Sequence, residues 1–327
     1  MRLSPFVILM TLIAASIVLI MPYGTYAADS TNQVQWLQLM QKGSLARQAG
    51  NLQQAEKYWR EALDLSNRFA IDQSWQDQNL KCLMSIIDEQ GKCNGLEDFL
   101  RLLVAQRKGD TDNNPSMIWP LDCLGQSLYC SGKLLEAEAT FKQALDIADA
   151  PSSQAVKYVN DVNADILIRL AQLHIKTGKS SEAEEEARKA LRLLDINATN
   201  ANQAKALREM ASAITESNRA LEAVALSRYA KDLYSAQHSA QRQSTLEQLR
   251  YSKVLANAYM KAWLYQKAIP ELQIAISKAK QLGNLEELNL LSNDLQEAKR
   301  LSKLKVRTGM SFGQGNYKWT IPADLIF

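Results

Sequence analysis

The sequence predicts an all-α fold, with about six helix–turn–helix units in one array and a C-terminal helix capping the last of them. Two observations carry this. Gly (13) and Pro (7) are scarce in 327 residues, while Ala, Leu, Gln, Glu, Lys and Arg abound, and these lose little freedom in a helix. One pattern of small and large apolar side chains also recurs every 40 to 46 residues, as expected of an array that grows by adding units.

The N-terminal segment stands apart from the array. Arg2 gives a positive start, residues 6–21 form an uncharged apolar run, Pro22 and Gly24 break it, and Thr25-Tyr26-Ala27 offers small residues where a signal peptidase cuts. The run is short for a bilayer span, which takes about 20 apolar residues. Residues 1–27 are therefore read as a cleaved signal peptide, the alternative being an N-terminal anchor through residues 6–21. Either reading exports residues 28–305, the repeat array with its cap, to the periplasm or the exterior.

The repeats align on Ala55, Leu96, Ala137, Ala183, Ala223 and Ala268 as anchors, spaced 41, 41, 46, 40 and 45. Five residues before each anchor stand Gly50, Gly91, Gly132, Gly178, Asn218 and Trp263. The first five suit a helix end with positive φ; Trp263 departs from the rule and predicts a turn closed differently. Four residues after the anchor come Trp59, Leu100, Phe141, Ala187, Ser227 and Leu272, and seven after come Ala62, Leu103, Ala144, Ala190, Ala230 and Ala275. These offsets place both columns on one helical stripe. Twelve before the anchor, on the first helix, stand Gly43, Met84, Gly125, Ala171, Ala211 and Ala256. The small residues let two helices approach and the larger ones fill the gap.

Residues 110–115 and 197–202 read as polar links within one domain. Residues 285–305 read as a charged amphipathic helix that caps the last repeat. Helical periodicity ends there, and residues 306–327 form a tail carrying Phe312, Tyr317 and Trp319. It packs on its own last repeat or docks a partner.

The run Leu121, Leu124, Gly125, Leu128, Gly132, Ala137, Phe141, Ala144 resembles the tetratricopeptide repeat signature, and Gly43, Gly50, Ala55, Trp59, Ala62 is similar to it. The resemblance covers roughly residues 36–280, with a degenerate second unit and units longer than the family's 34 residues. It implies a right-handed α-solenoid.

Charge and chemistry point away from catalysis and nucleic acid. The 38 basic and 35 acidic residues, net +3, are interspersed, so no strong field draws in polyanions. Of two histidines, His174 lies in the core register of the fourth unit and His238 in a polar link. No metal-ligand spacing, phosphate-binding loop or nucleophile elbow occurs, and no cofactor is expected. Cys82, Cys93, Cys123 and Cys130 cluster in the second and third units, and in an oxidising compartment such a set suggests disulfides. Cys123 and Cys130 sit seven apart on one helix, about 10 Å along its axis and too far to bond. Register then suggests Cys93 with Cys130 and Cys82 with Cys123, buried thiols being the alternative.

In the family this chain resembles, the first helix of each pair lines a binding groove. The resemblance assigns to that groove Met40, Ser44 and Arg47 in the first unit, Asp122, Gln126 and Tyr129 in the third, and Ile168, Gln172 and Ile175 in the fourth. It adds Arg208, Ser212 and Thr215 in the fifth unit and Lys253, Asn257 and Met260 in the sixth. Amides, hydroxyls and one aromatic suit an extended peptide, with Arg208, Arg250 and Lys253 adding a basic tint. Lys253 and Asn257 resemble the first pair of the family's carboxylate clamp, but only the capping helix follows to complete it. The expected function is a non-enzymatic scaffold for a protein or peptide. The alternatives are a structural component of an envelope or secretion assembly acting through lateral surfaces and the tail, and an enzyme of unrecognised type.

Overall fold

A computed structural model describes residues 27–69, 73–90, 96–108, 114–150, 159–194, 201–217, 219–237 and 244–307. All regular structure among them is helical. The apolar run 6–21, His238 and the aromatic tail from residue 308 onward lie outside the described residues. Among those described, no helix is long and apolar enough to cross a membrane.

By the register of the sequence the helices group two to a repeat. Repeat 1 is α1 (Ala27–Gln48) and α2 (Leu52–Arg68), and repeat 2 is α3 (Gln73–Glu89) and α4 (Glu97–Lys108). A short 3₁₀ turn (Pro115–Met117) leads into repeat 3, α5 (Ile118–Cys130) and α6 (Leu134–Asp149). Repeats 4, 5 and 6 are α7 (Val159–Lys176) with α8 (Ser180–Leu193), α9 (Ala201–Thr215) with α10 (Ala220–Gln237), and α11 (Thr245–Lys261) with α12 (Tyr265–Leu282). The capping helix is α13 (Leu285–Arg307). The chain divides into two compact units, residues 1–83 and 84–327, the division falling within α3.

In the first unit α1 packs on α2 around Trp36 and Ala62, and the Trp36 and Trp75 rings meet at 4.8 Å. Gly43 lies against Trp59 so closely that a Cβ there would meet the indole at 2.1 Å, and the indole N–H donates to the Met40 carbonyl at 3.2 Å. Asn51 caps α2 by accepting from the Gln54 N–H at 3.2 Å, which satisfies one of the orphan donors of a helix start.

The second unit is an α-solenoid. Each first helix packs on its own second helix and on the first helix of the next repeat, in the series α5, α7, α9, α11, and α13 covers α12. One buried apolar cluster runs from Ala164 in α7 to Ala298 in α13. The anchor alanines 137, 183, 223 and 268 are fully buried, so the recurring small residue sits where helices approach most closely.

The turn at Trp263 corrects the expectation of a different closure. The Gly132 and Lys133 N–H groups donate to the Tyr129 and Leu128 carbonyls at 3.2 and 2.9 Å, and the Trp263 and Leu264 N–H groups donate to Met260 and Tyr259 at 3.1 and 2.8 Å. The pattern is the same helix-ending motif, with Trp263 itself held at φ 59° beside 78° for Gly132. Packing of the flanking helices fixes the backbone, and the side chain adopts the left-handed region that glycine occupies elsewhere.

Candidate functional site

The first helices that the resemblance assigns to a groove carry a polar ladder across the second unit. Asp122 on α5 faces Arg169 Nε on α7 at 3.0 Å, and Arg169 lies 3.4 Å from Asp165 one helical turn earlier. Asp165 in turn lies 3.9 Å from Lys205 on α9. Gln172 on α7 donates to Glu209 on α9 at 3.1 Å. Arg208 bridges Glu209 at 2.6 Å and Glu247 on α11 at 2.5 Å, and Glu247 also takes Arg250 at 2.8 Å. The ladder ends on the cap, where Lys253 meets Glu287 at 2.6 Å.

Burial decides what these charges can do. Arg208 is 2% exposed, its guanidinium 4.8 Å over the Tyr251 ring, which stacks on Tyr234 at 4.7 Å. Burial works against its charge, yet Glu209 and Glu247 hold it protonated well above the ordinary arginine range. Glu247 responds in the opposite sense: burial would raise its pKa, but Arg208 and Arg250 outweigh that and bring it down to about 2. Burial prevails at Asp122, because the pull of Arg169 is partly offset by the like charge of Asp165, and it pushes the carboxyl up to about 6.

Several residues assigned to the groove are therefore not available to a ligand. Asp122, Gln126, Ile168, Arg208 and Thr215 are buried: Asp122 and Arg208 belong to the ladder, and the Thr215 hydroxyl donates to its own helix at Ala211 O, 2.7 Å away. The close packing of α5, α7, α9 and α11 covers these positions. Tyr129, Gln172, Ile175, Ser212, Lys253 and Met260 are half-buried and Asn257 is exposed; these remain on the wall, with Lys176 Nζ 4.8 Å above the Tyr129 ring. In the first unit Met40 and Arg47 are half-buried and Ser44 is exposed on α1. The ladder residues Arg169, Lys205, Glu209, Glu247 and Glu287 were not singled out from the sequence. Their signal was charge of both signs at neighbouring registers of successive first helices.

The basic tint also shifts to other residues. Arg208 contributes none of it, because it is buried and doubly paired. Lys205, Arg250 and Lys253 present 35, 34 and 41% of their side chains to solvent, whereas their acidic partners Asp165, Glu247 and Glu287 present 19, 13 and 19%. The wall is balanced in charge and shows its basic ends outward.

The cysteine expectation is corrected in one half. Cys82 and Cys123 are present as thiols and not as a cystine. Burial pushes the Cys82 thiol up, which disfavours the thiolate that disulfide formation needs. Cys130 is disulfide-bonded, and Cys93, the partner suggested by register, lies outside the described residues. His174 is buried as its register predicts. Among the described residues no group of three His, Cys, Asp or Glu side chains is placed to hold a metal ion.

The tetratricopeptide repeat family model matches residues 39–69 and 164–193, which are the register-defined first and fourth repeats. The chain thus carries tetratricopeptide repeats, and its fold is an all-α solenoid. Among solved structures it is similar to the apo form of the quorum sensor NprR from B. thuringiensis, at 14% identity over 84% of this chain and 76% of that one, TM-score 0.52. It is also similar to BtubC (BKLC) from P. vanneervenii, at 13% identity over 89 and 97% of the two chains, TM-score 0.48. No curated protein matches the sequence.

Proposed function

We propose that this protein is an exported, non-enzymatic interaction scaffold that holds an extended, acidic protein segment along the first-helix wall of repeats 4 to 6. One observation carries the reading: on that wall the carboxylates are recessed and the ends of Lys205, Arg250 and Lys253 are the exposed charges. A recessed acid neutralises its base only in part toward the groove, so a carboxylate-bearing segment meets the basic end first. Ser212, Asn257 and Gln172, on the three first helices of that wall, offer donors and acceptors for a peptide backbone. The N-terminal apolar run, read as an export signal, supports the compartment.

The test is selection of peptides from a random displayed library on the full chain, alongside Lys205→Glu/Lys253→Glu. The expected result is enrichment of sequences with clustered Asp and Glu that bind the parent at least about tenfold more tightly than the variant. Enrichment that is neutral in charge, or is equal on both proteins, overturns the reading. A second reading, an assembly component acting through lateral surfaces, is favoured by Leu102, Tyr229 and Ile274, which are exposed at one register on the second helices, six residues past their anchors. Replacing all three with Ser impairs assembly under that reading and leaves peptide selection unchanged.

A further inference from the structure

The junction between repeats 3 and 4 carries a titratable addition to the pairs that join the repeats after it. Repeats 4, 5 and 6 are joined by guanidinium or ammonium groups on carboxylates: Arg219 on Glu184 at 2.9 Å, Arg208 on Glu247 at 2.5 Å and Lys231 on Glu271 at 2.5 Å. Such pairs keep their charges from mildly acid to mildly basic solution. The junction between repeats 3 and 4 holds pairs of this kind as well, Lys179 on Glu138 and Arg169 on Asp122, both at 3.0 Å, and adds a buried imidazole that acts with the buried Asp122 carboxyl through α7.

The imidazole is His174. Its Nδ1 lies 2.8 Å from Glu186 Oε2 on α8 and its Nε2 lies 3.4 Å from Glu138 Oε1 on α6. Nε2 is buried without a hydrogen bond. A neutral imidazole has one N–H and serves one carboxylate; an imidazolium has two and serves both. Protonation therefore supplies the donor that the Nε2 contact lacks, and it links α6 to α7 in the act.

We propose that the junction between repeats 3 and 4 is a proton-operated joint, which tightens on acidification while the junctions beyond it stay fixed. The charged groups facing it are these. From α6 come Glu138 and Lys142, paired at 2.7 Å, and from the turn before α8 comes Lys179, 3.0 Å from Glu138. From α8 come Glu186 and, acting on it at longer range, Lys189. From α5 comes Asp122, facing Arg169 and Asp165 of α7, and from α9 come Lys205 toward Asp165 and Glu209 toward Gln172.

The two sides act in the same direction. Asp122 is held by burial at about 6 against an ordinary 3.8, so the native protein binds its proton more tightly than the unfolded chain. That contribution is present below 3.8 and is lost as the pH rises through about 6. Glu138, drawn down to about 2 chiefly by Lys142, stays ionised across this range and keeps its attraction for a protonated ring.

Hydrogen exchange of the full chain, corrected for intrinsic rates and compared at about pH 7.5 and about pH 5.5, tests the joint. Protection of α6 and α7 is expected to rise about tenfold on acidification while that of α10 to α12 stays constant. Asp122→Asn and His174→Gln each remove part of the response, and together they abolish it. A response spread evenly over all repeats, or one that survives in the double variant, overturns the proposal. Should the variants fail to fold, imidazole nitrogen spectra of the wild-type chain decide. With two histidines in the sequence, a His238→Gln protein leaves His174 alone, and a single protonated ring nitrogen at about pH 5.5 overturns the joint.

Discussion

A Cβ built on Gly125 would lie 2.6 Å from the ring of Phe141, which is 1% exposed and has nowhere to move. Gly125→Ala gains about 1 kcal/mol of helix propensity but overpacks a buried contact at about 1–3 kcal/mol. A net loss of about 1 kcal/mol is expected in urea unfolding, and Phe141→Leu in the same chain should recover part of it. The turns give the reverse case. Gly132 and Gly178 hold φ 78° and 77° and Trp263 holds 59°; an L side chain in that region costs about 1–2 kcal/mol. Gly178→Ala is expected to lower stability by about 1 kcal/mol, and Trp263→Gly to raise it by a similar amount, because a ring 59% exposed gives up little packing. Thermal unfolding of the two variants checks both signs.

Helix-to-helix contacts use charge in two distinct ways. On the outer rim an acid one residue past an anchor meets a base four residues before the next anchor: Glu97 with Lys133 at 2.8 Å, Glu138 with Lys179 at 3.0 Å and Glu184 with Arg219 at 2.9 Å. Their bases are 38 to 46% exposed, and such pairs contribute at most about 1 kcal/mol each. Glu247 belongs to the other kind. Its pKa falls from 4.5 to about 2, so its stabilisation is present above 4.5 and is lost as the pH falls toward 2, about 3 kcal/mol in all. Glu247→Gln leaves Arg208 buried with one partner fewer; a loss of about 3 kcal/mol at neutral pH and a flatter acid limb in unfolding against pH are the expected outcomes. The columns of small and large apolar residues were legible because they depend on offsets within one helix pair, so Gly125, Ala137 and Phe141 announced their packing. The ladder was not, because Arg208 finds Glu247 39 residues further along, and register alone does not show which neighbour's charge faces it. Read alone, Arg208 is an open basic groove residue; between two carboxylates it is part of the wall.

At the scale of the second unit, each repeat rests on its neighbours, so a disturbance at one end should remain there. The cap provides the test. Leu291 and Ala298 of α13 are buried, Leu288 and Leu295 are half-buried, and Glu287 holds Lys253 of α11 at 2.6 Å. A buried leucine contributes about 2 kcal/mol, so ending the chain after Gly283 removes roughly 4 kcal/mol of apolar burial from the last repeat. In a stacked array that loss falls on α11 and α12, whose amides should exchange orders of magnitude faster, while α7 and α8 keep their protection because repeat 5 still covers them. A globular core would spread the loss over every helix. Exchange measured helix by helix on the truncated chain separates the two, and equal deprotection from α5 to α12 would show that the repeats fold as one cooperative block.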